Sequence, residues 1–251
     1  DLQPPTWATH FLSDQTDWNK APVPVGEMAP FTIPDDSYFE YAYADAAGEK
    51  RPDPDNDNPR QNPWWEYASN IMGPAYRASE DLPPENTRPR GQVLRMALES
   101  KLLGEERRIL VYSPAGMAGE ALPHILFQDG KAYFGWGKVP QLLDHLMTRG
   151  DVPAAHLVFV PPRSRTKEYA FNATYRRFLT EELMPLVEKR VKCNGTRVAW
   201  GASLGGLLSA QLAWESPHLF QRVVAQSGAF LFSEDMDKKN PFAGKESFRD
   251  K

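Results

Sequence analysis

Residues Trp200-Gly201-Ala202-Ser203-Leu204-Gly205-Gly206 decide the fold of this chain. They form a Gly-x-Ser-x-Gly pattern between an apolar run, Arg197-Val198-Ala199-Trp200, and a helical stretch at 207–215. Strand, sharp turn and helix in that order predict a nucleophile elbow, which holds Ser203 Oγ out above the edge of a sheet. The glycines let backbone and helix pack close to the turn. The N–H of Leu204, at the helix start, can point at a developing oxyanion. The five-residue pattern alone also fits an ordinary tight turn, and it is the strand–turn–helix context that favours the nucleophile.

Strands and helices alternate around the elbow. Residues 92–99 and 107–112 read as two strands about a turn at Leu103-Gly104-Glu105. Ile125-Leu126-Phe127 is a short apolar strand ending in Gln128-Asp129-Gly130, and a helix is predicted near 139–148 with Leu142, Leu143, Leu146 and Met147 on one stripe. Residues 156–160 form the next buried strand. One long amphipathic helix is predicted over 171–191, with Phe178, Leu179, Leu183, Leu186 and Val187 inward. Arg222-Val223-Val224-Ala225-Gln226-Ser227 reads as the last strand. This alternation predicts an α/β fold with a mostly parallel sheet, helices on both faces, and Ser203 above the carboxyl ends of the strands.

Residues 1–78 have a different character, rich in proline, aspartate and aromatics. Period two in Tyr38-Phe39-Glu40-Tyr41-Ala42-Tyr43 puts Phe39, Tyr41 and Tyr43 on one face. Pro30-Phe31-Thr32-Ile33-Pro34 is predicted as a short edge strand. With no helical periodicity, the segment reads as an immunoglobulin-like β-sandwich. Asp53-Pro54-Asp55-Asn56-Asp57 resembles the opening of a calcium loop. Asn58 and Trp64 occupy the positions where an EF-hand needs Gly and Glu, so a solvated turn is expected. Trp64 and Trp65 are expected to pack this module onto the next domain. Residues 79–90, polar and proline-rich, read as a linker, and 91–251 as the α/β domain.

Of 251 residues, 29 are basic and 33 acidic, a net charge of −4 that offers no footprint for nucleic acid or an anionic membrane. No apolar run approaches the roughly 20 residues of a membrane span. Cys193 is the only cysteine, which excludes an intrachain disulfide and suits a reducing, cytoplasmic setting. It has no histidine nearby in sequence and is not expected to be catalytic.

Five motifs, taken in order, resemble one family. They are Ile125-Leu126-Phe127-Gln128-Asp129-Gly130, Arg165-Thr166-Lys167-Glu168-Tyr169 with Asn172, Phe178-Leu179-Thr180-Glu181-Glu182-Leu183-Met184-Pro185, the elbow itself, and residues 220–230. Together they resemble the esterase-D branch of the α/β-hydrolases, closest to the enterochelin (ferric enterobactin) esterases. Trp18, the run from Pro34 to Tyr41 and Arg51-Pro52-Asp53-Pro54-Asp55-Asn56 are similar to the early-set sandwich that precedes the catalytic domain in such enzymes. The resemblance implies a serine carboxylic-ester hydrolase working through an acyl-serine intermediate, with no metal or organic cofactor. Its substrate would be a small-molecule ester, foremost a trilactone catecholate siderophore. Acyl or feruloyl sugar esters, or a non-catalytic glycan- or siderophore-binding protein, are the alternatives.

The resemblance also implies roles. Ser203 is the nucleophile. Leu204 N–H is one oxyanion donor, and a backbone N–H of the Asp129-Gly130-Lys131 loop, assigned to Lys131, is the second. Gly130, Arg165 and Asn172 are expected to bind substrate. Arg165 could instead form a surface ion pair with Glu168, and Asn172 could simply cap a helix. A serine needs a base, and the histidines are His10, His124, His145, His156 and His218. Only His218 follows Ser203, about 20 Å away at ~1.5 Å per helical residue. The family places its acid and histidine beyond the strand containing Phe230, whereas residues 233–251 are polar and hold no histidine. The domain is therefore expected to be C-terminally incomplete, with a fragment of the same protein as a candidate partner. A binding protein without turnover, or a non-standard base, remains open.

Overall fold

A computed structural model describes residues 2–16, 18, 22–59, 62, 64–84 and 86–230. The chain divides into two compact units, with the break between Glu80 and Asp81.

The first unit is built on one antiparallel sheet. Its strands are β1 (His10–Ser13), β2 (Val23–Pro24), β3 (Tyr38–Ala44), β4 (Lys50–Arg51) and β5 (Ser69–Met72), in the path β2-β1-β3-β4 with β5 also pairing β3. Alternation along β3 works as the sequence predicts. Phe39, Tyr41 and Tyr43 join Phe11 in one cluster, while Ala42 and Ala44 join Leu12 and Trp18 on the other face. The second sheet of a sandwich is not found among the described residues. Residues 30–34 form no strand. Their prolines remove ladder donors, and Phe31 instead lays its ring against Phe11 and Phe39.

The acidic loop is a largely exposed turn, as expected, but its first carboxylate faces inward. Asp53 is buried and accepts 2.6 Å from the Tyr41 hydroxyl. Asn56 and Asn58 donate to the Asn70 carbonyl at 2.8 and 3.0 Å. Trp65 packs within its own unit on Trp18 and Tyr67, while Trp64 is half exposed.

The second unit carries a six-stranded mixed sheet. Its strands are β6 (Gln92–Ser100), β7 (Glu105–Ser113), β8 (Leu122–Phe127), β9 (His156–Phe159), β10 (Cys193–Ala202) and β11 (Arg222–Gln226), in the order β11-β10-β8-β9-β7-β6. The four strands from β11 to β9 run parallel, and β7 pairs antiparallel with both β9 and β6. Helices are α1 (Val139–Arg149), α2 (Arg165–Tyr169), α3 (Ala173–Arg177), α4 (Met184–Glu188) and α5 (Leu204–Glu215).

Period two divides the core. Ile109, Val111, Leu126, Val158 and Ala199 face α5 and the α3–α4 segment, whereas Tyr112, Phe127, Leu157 and Phe159 face α1. Each fully buried side chain of this size contributes about 1.5–3 kcal/mol. The helix predicted over 171–191 is segmented, since residues 178–183 between α3 and α4 are π-helical. Pro185, just inside α4, has no N–H for an ordinary helical bond, which accounts for the break in the ladder. On α1 only Leu143 of the expected stripe is buried. Asp144 is buried beside it, accepting 2.6 Å from the Tyr112 hydroxyl and 2.7 Å from the Arg90 N–H. Arg90, read as linker, is thus tied to the second unit.

Candidate functional site: the elbow and its brace

β10 hands over to α5 at Ser203, whose φ of 53° and ψ of −119° lie in a region that a residue with a Cβ rarely adopts. Three hydrogen bonds hold it there. Its N–H donates 2.9 Å to the Gln226 carbonyl, and its own carbonyl accepts from the N–H groups of Leu207 and Ala229, both at 3.0 Å. Of the flanking glycines, Gly201 is a steric necessity and Gly206 a tight fit. A Cβ on Gly201 would lie 2.4 Å from the Gly205 backbone, and one on Gly206 would crowd Gly201 and Gly228. Ser203 is exposed, and among the described residues its hydroxyl has no hydrogen-bond partner. The N–H of Leu204 belongs to the first helical turn, whose donors lack intrahelical acceptors. An ordinary tight turn has no need of this strain.

Strand register places the loop expected to hold a second oxyanion donor beside the elbow. Phe127 on β8 pairs with Trp200 on β10, so the loop after β8 runs beside the elbow. In that loop Gly130 N–H donates to Val160 O, while Ala132 and Tyr133 N–H donate to Asp129 O. Lys131, an exposed residue, has no backbone partner for its N–H among the described residues. Gly130 must be glycine because a Cβ would meet the Val160 nitrogen at 2.5 Å. Its role is close approach of the loop to β9.

The elbow and the loop are clamped by residues whose roles the sequence did not show. Asp129, buried and itself at a φ of 54°, accepts from Arg165 Nε at 2.8 Å and Nη2 at 3.0 Å. The same Nη2 donates 3.0 Å to the carbonyl of Ala202, the residue before the nucleophile. Asp129 N–H donates 2.7 Å to the Tyr169 hydroxyl, and burial raises the pKa of that hydroxyl well above its ordinary value. Tyr133, its pKa pushed up to about 12 by burial and then by Asp129, donates to the Gln226 side chain.

Two expectations are revised here. Arg165 pairs with Asp129, not Glu168, through Nε and Nη2. Glu168 instead takes Arg107 at 2.7 Å and the N–H groups of Arg163 and Ser164. Asn172 is a cap: its Oδ1 accepts from Tyr175 N–H at 3.0 Å and its Nδ2 donates to Lys167 O at 2.9 Å.

None of the second unit's four histidines lies at the carboxyl ends of the parallel strands. His124 and His156 are register partners near the opposite ends of β8 and β9, buried with ring centroids 5.5 Å apart. Burial, with His156 next, lowers His124 to a pKa of about 4. His145 lies on α1, half-buried where a solvated face was expected, and His218 is exposed in the turn beyond α5. His10 lies on β1 in the first unit, against Thr9. The polar tail at 233–251 lies outside the described residues.

Comparison with known proteins agrees with this geometry. Residues 100–249 match the model of the esterase family, described as "Putative esterase". The uncharacterized protein YjcH of Bacillus subtilis is 28% identical over 149 residues, which are 55% of this chain and 62% of that protein. The enterobactin esterase FES of Shigella flexneri, solved in the presence of enterobactin, superposes with a TM-score of 0.73 at 19% identity, over 92% of this chain and 68% of that one. Ferric enterobactin esterase of Salmonella typhimurium superposes with a TM-score of 0.65 at 22% identity, covering 78% and 58%. At these identities the likeness is one of fold. The chain spans about three-fifths of the length of the curated relative it matches. Among the described residues no helix is long and apolar enough to cross a membrane. With the elbow, the mixed sheet and the family match in place, this chain belongs to the esterase family of α/β-hydrolases.

Proposed function

We propose that this chain carries the nucleophile and oxyanion half of a serine carboxylic-ester hydrolase. The observation behind it is Ser203, exposed at a strained turn at the start of α5. Ser203 Oγ attacks the ester carbonyl carbon, and the oxyanion forms against Leu204 and Lys131 N–H. The tetrahedral intermediate then expels the alcohol, leaving an acyl-serine that water hydrolyses. Removing one such donor typically costs about 10²–10³ in turnover.

The base is the missing part. Residues 231–251 contain no histidine, and no other histidine of the second unit lies beside Ser203. The imidazole and its acid come, in this reading, from a further segment of the same protein, covalently continuous or bound as a fragment. The substrate class is a small-molecule ester, with a trilactone catecholate siderophore first. This rests on the five ordered motifs and on the fold-level likeness to esterases solved with or named for enterobactin. The single cysteine supports a reducing, cytoplasmic compartment. A second reading, binding without turnover, is favoured by the lack of a histidine near Ser203.

Chemical rescue separates the two. The 251-residue chain is incubated with a p-nitrophenyl ester and increasing imidazole, with Ser203→Ala as the control for direct attack by imidazole. Hydrolysis that rises with imidazole only when Ser203 is present supports the hydrolase. No Ser203-dependent rise supports the binding protein. Rapid stoichiometric labelling of Ser203 by a fluorophosphonate without imidazole would show that the chain already holds its base.

A further inference from the structure

The opposite end of β10 holds a cluster that ester cleavage leaves unused. Cys193 opens the strand, His124 lies on the neighbouring β8, and Glu188 closes α4. One ligand atom from each lies within 4.8 Å of the others, the only such group of three among the described residues. His124 has no exposed surface, and the Lys192 backbone lies against its ring, yet neither ring nitrogen makes a hydrogen bond of ordinary geometry. A neutral imidazole has one donor and one acceptor, and buried polar atoms are almost always paired. The Lys192 backbone can serve one nitrogen, and the other, beside a thiol and a carboxylate, calls for a partner.

We propose that His124, Cys193 and Glu188 bind a borderline-soft divalent metal ion, Zn²⁺ foremost, at the amino-terminal end of β10. The donor set of imidazole nitrogen, thiolate sulfur and carboxylate oxygen suits zinc, whereas Ca²⁺ and Mg²⁺ take oxygen ligands. Water from solvent fills the fourth position, since Cys193 and Glu188 are only partly buried. On binding, the Cys193 S–H bond breaks, its proton leaves to solvent, and the sulfur lone pair forms the metal bond. No redox change is involved.

Local structure is shaped for this. Cys193 pairs with Leu122, two residues before His124, so both side chains project from the same face of the sheet. The register then shifts before Arg197 pairs with His124, through a segment containing Gly195 at a φ of 96°. This irregularity frees the start of β10 from strict strand geometry. Cys193 Sγ has only a weak contact, 3.5 Å to the Thr196 carbonyl. Glu188 is gripped by Arg197, Nε to Oε1 at 2.5 Å and Nη2 to Oε2 at 3.0 Å. Each carboxylate oxygen keeps a second lone pair, so a metal can bind with the ion pair intact. Arg197 then orients the ligand from outside, as outer partners of metal sites commonly do.

Ten residues of β10 separate this cluster from the elbow, roughly 30 Å at ~3.3 Å per residue. The ion would join β8, β10 and α4 and take no part in ester cleavage, so the proposal stands apart from the hydrolase reading.

The test uses the full 251-residue chain, stripped with chelator and titrated with Co²⁺ and then Zn²⁺. One equivalent of Co²⁺ is expected to raise a thiolate-to-cobalt charge-transfer band, which Zn²⁺ abolishes by displacement. Cys193 is the sole cysteine, so the band reports this site alone. Cys193→Ser should remove the band, and Glu188→Gln should weaken Zn²⁺ binding at least tenfold. Calorimetry in two buffers should register about one proton released per ion. Failure to form a thiolate band, or identical Zn²⁺ affinity in Glu188→Gln, overturns the site. If a variant misfolds by circular dichroism, alkylation of the wild type decides. Stoichiometric Zn²⁺ should protect Cys193 from iodoacetamide, and full reactivity in saturating Zn²⁺ would refute the proposal.

Discussion

The two ends of β10 are prepared in opposite ways. At the carboxyl end the backbone is strained and the surrounding charges are paired: Ser203 sits at a φ of 53°, Asp129 is matched by Arg165, and hydrogen bonds brace the turn. At the amino end the turn strain rests on a glycine, while a buried imidazole nitrogen of His124 has no hydrogen bond of ordinary geometry. One end fixes geometry and leaves a single hydroxyl free. The other gathers three potential ligand atoms within reach of one another, with Glu188 already oriented by Arg197. Reactivity toward a carbonyl carbon calls for the first arrangement, because an oxyanion must meet fixed dipoles. Affinity for an ion calls for the second.

The sharpest way to break this contrast is Ser203→Ala. Imidazole-rescued hydrolysis should fall on the order of 10³-fold or more, with the denaturation midpoint almost unchanged. Retained rescue would remove Ser203 from the chemistry.

Arg165→Ala comes next. It leaves the buried Asp129 carboxylate without its cation and frees the Ala202 carbonyl. Because Arg165 is itself partly exposed, the expected loss is at the low end for such pairs, about 2 kcal/mol in urea denaturation. Rescued hydrolysis of neutral and anionic esters should fall alike. Selective loss of the anionic ester would restore Arg165 as a substrate contact.

Ser203→Gly probes the strain directly. A backbone outlier of this kind costs on the order of 1–3 kcal/mol, and glycine's extra unfolded-state freedom offsets about 0.5–1 kcal/mol of any relief. The variant should therefore be more stable than Ser203→Ala, by up to roughly 2.5 kcal/mol. A less stable glycine variant would mean that the turn stores little strain. The smallest effect belongs to His218→Gln, which should change stability by less than ~0.5 kcal/mol and leave rescued hydrolysis untouched.

The elbow was legible in the sequence because its glycines mark contacts between residues close in the chain. Gly201 and Gly205 meet within a single turn, so their spacing encodes the geometry. The alternating faces of β3 and of the second sheet were readable for the same reason. The clamp was not. Arg165 and Asp129 are far apart in sequence, and Glu168 offered a nearer partner that the fold gives to Arg107. Local reasoning also missed the inward contacts of the otherwise exposed acidic loop at residues 53–58. Its carboxylate and amides serve the buried Tyr41 hydroxyl and the Asn70 carbonyl, contacts made across the sheet. The helix predicted over 171–191 was right in its apolar face and wrong in its continuity, since a proline reset the ladder. The Cys193 cluster joins a strand start, a neighbouring strand and a helix end, and no spacing in the chain announces it.

The brace on Ser203 has a consequence for the order of events during synthesis. Two of its three backbone bonds run to Gln226 and Ala229, which the ribosome adds only after the elbow has been made. At about 5–20 residues per second, the nascent chain waits on the order of seconds before the turn can be locked. Until β11 docks, nothing from that strand holds the turn in its strained geometry. In the proposed hydrolase the nucleophile would therefore be positioned late, by residues that follow it.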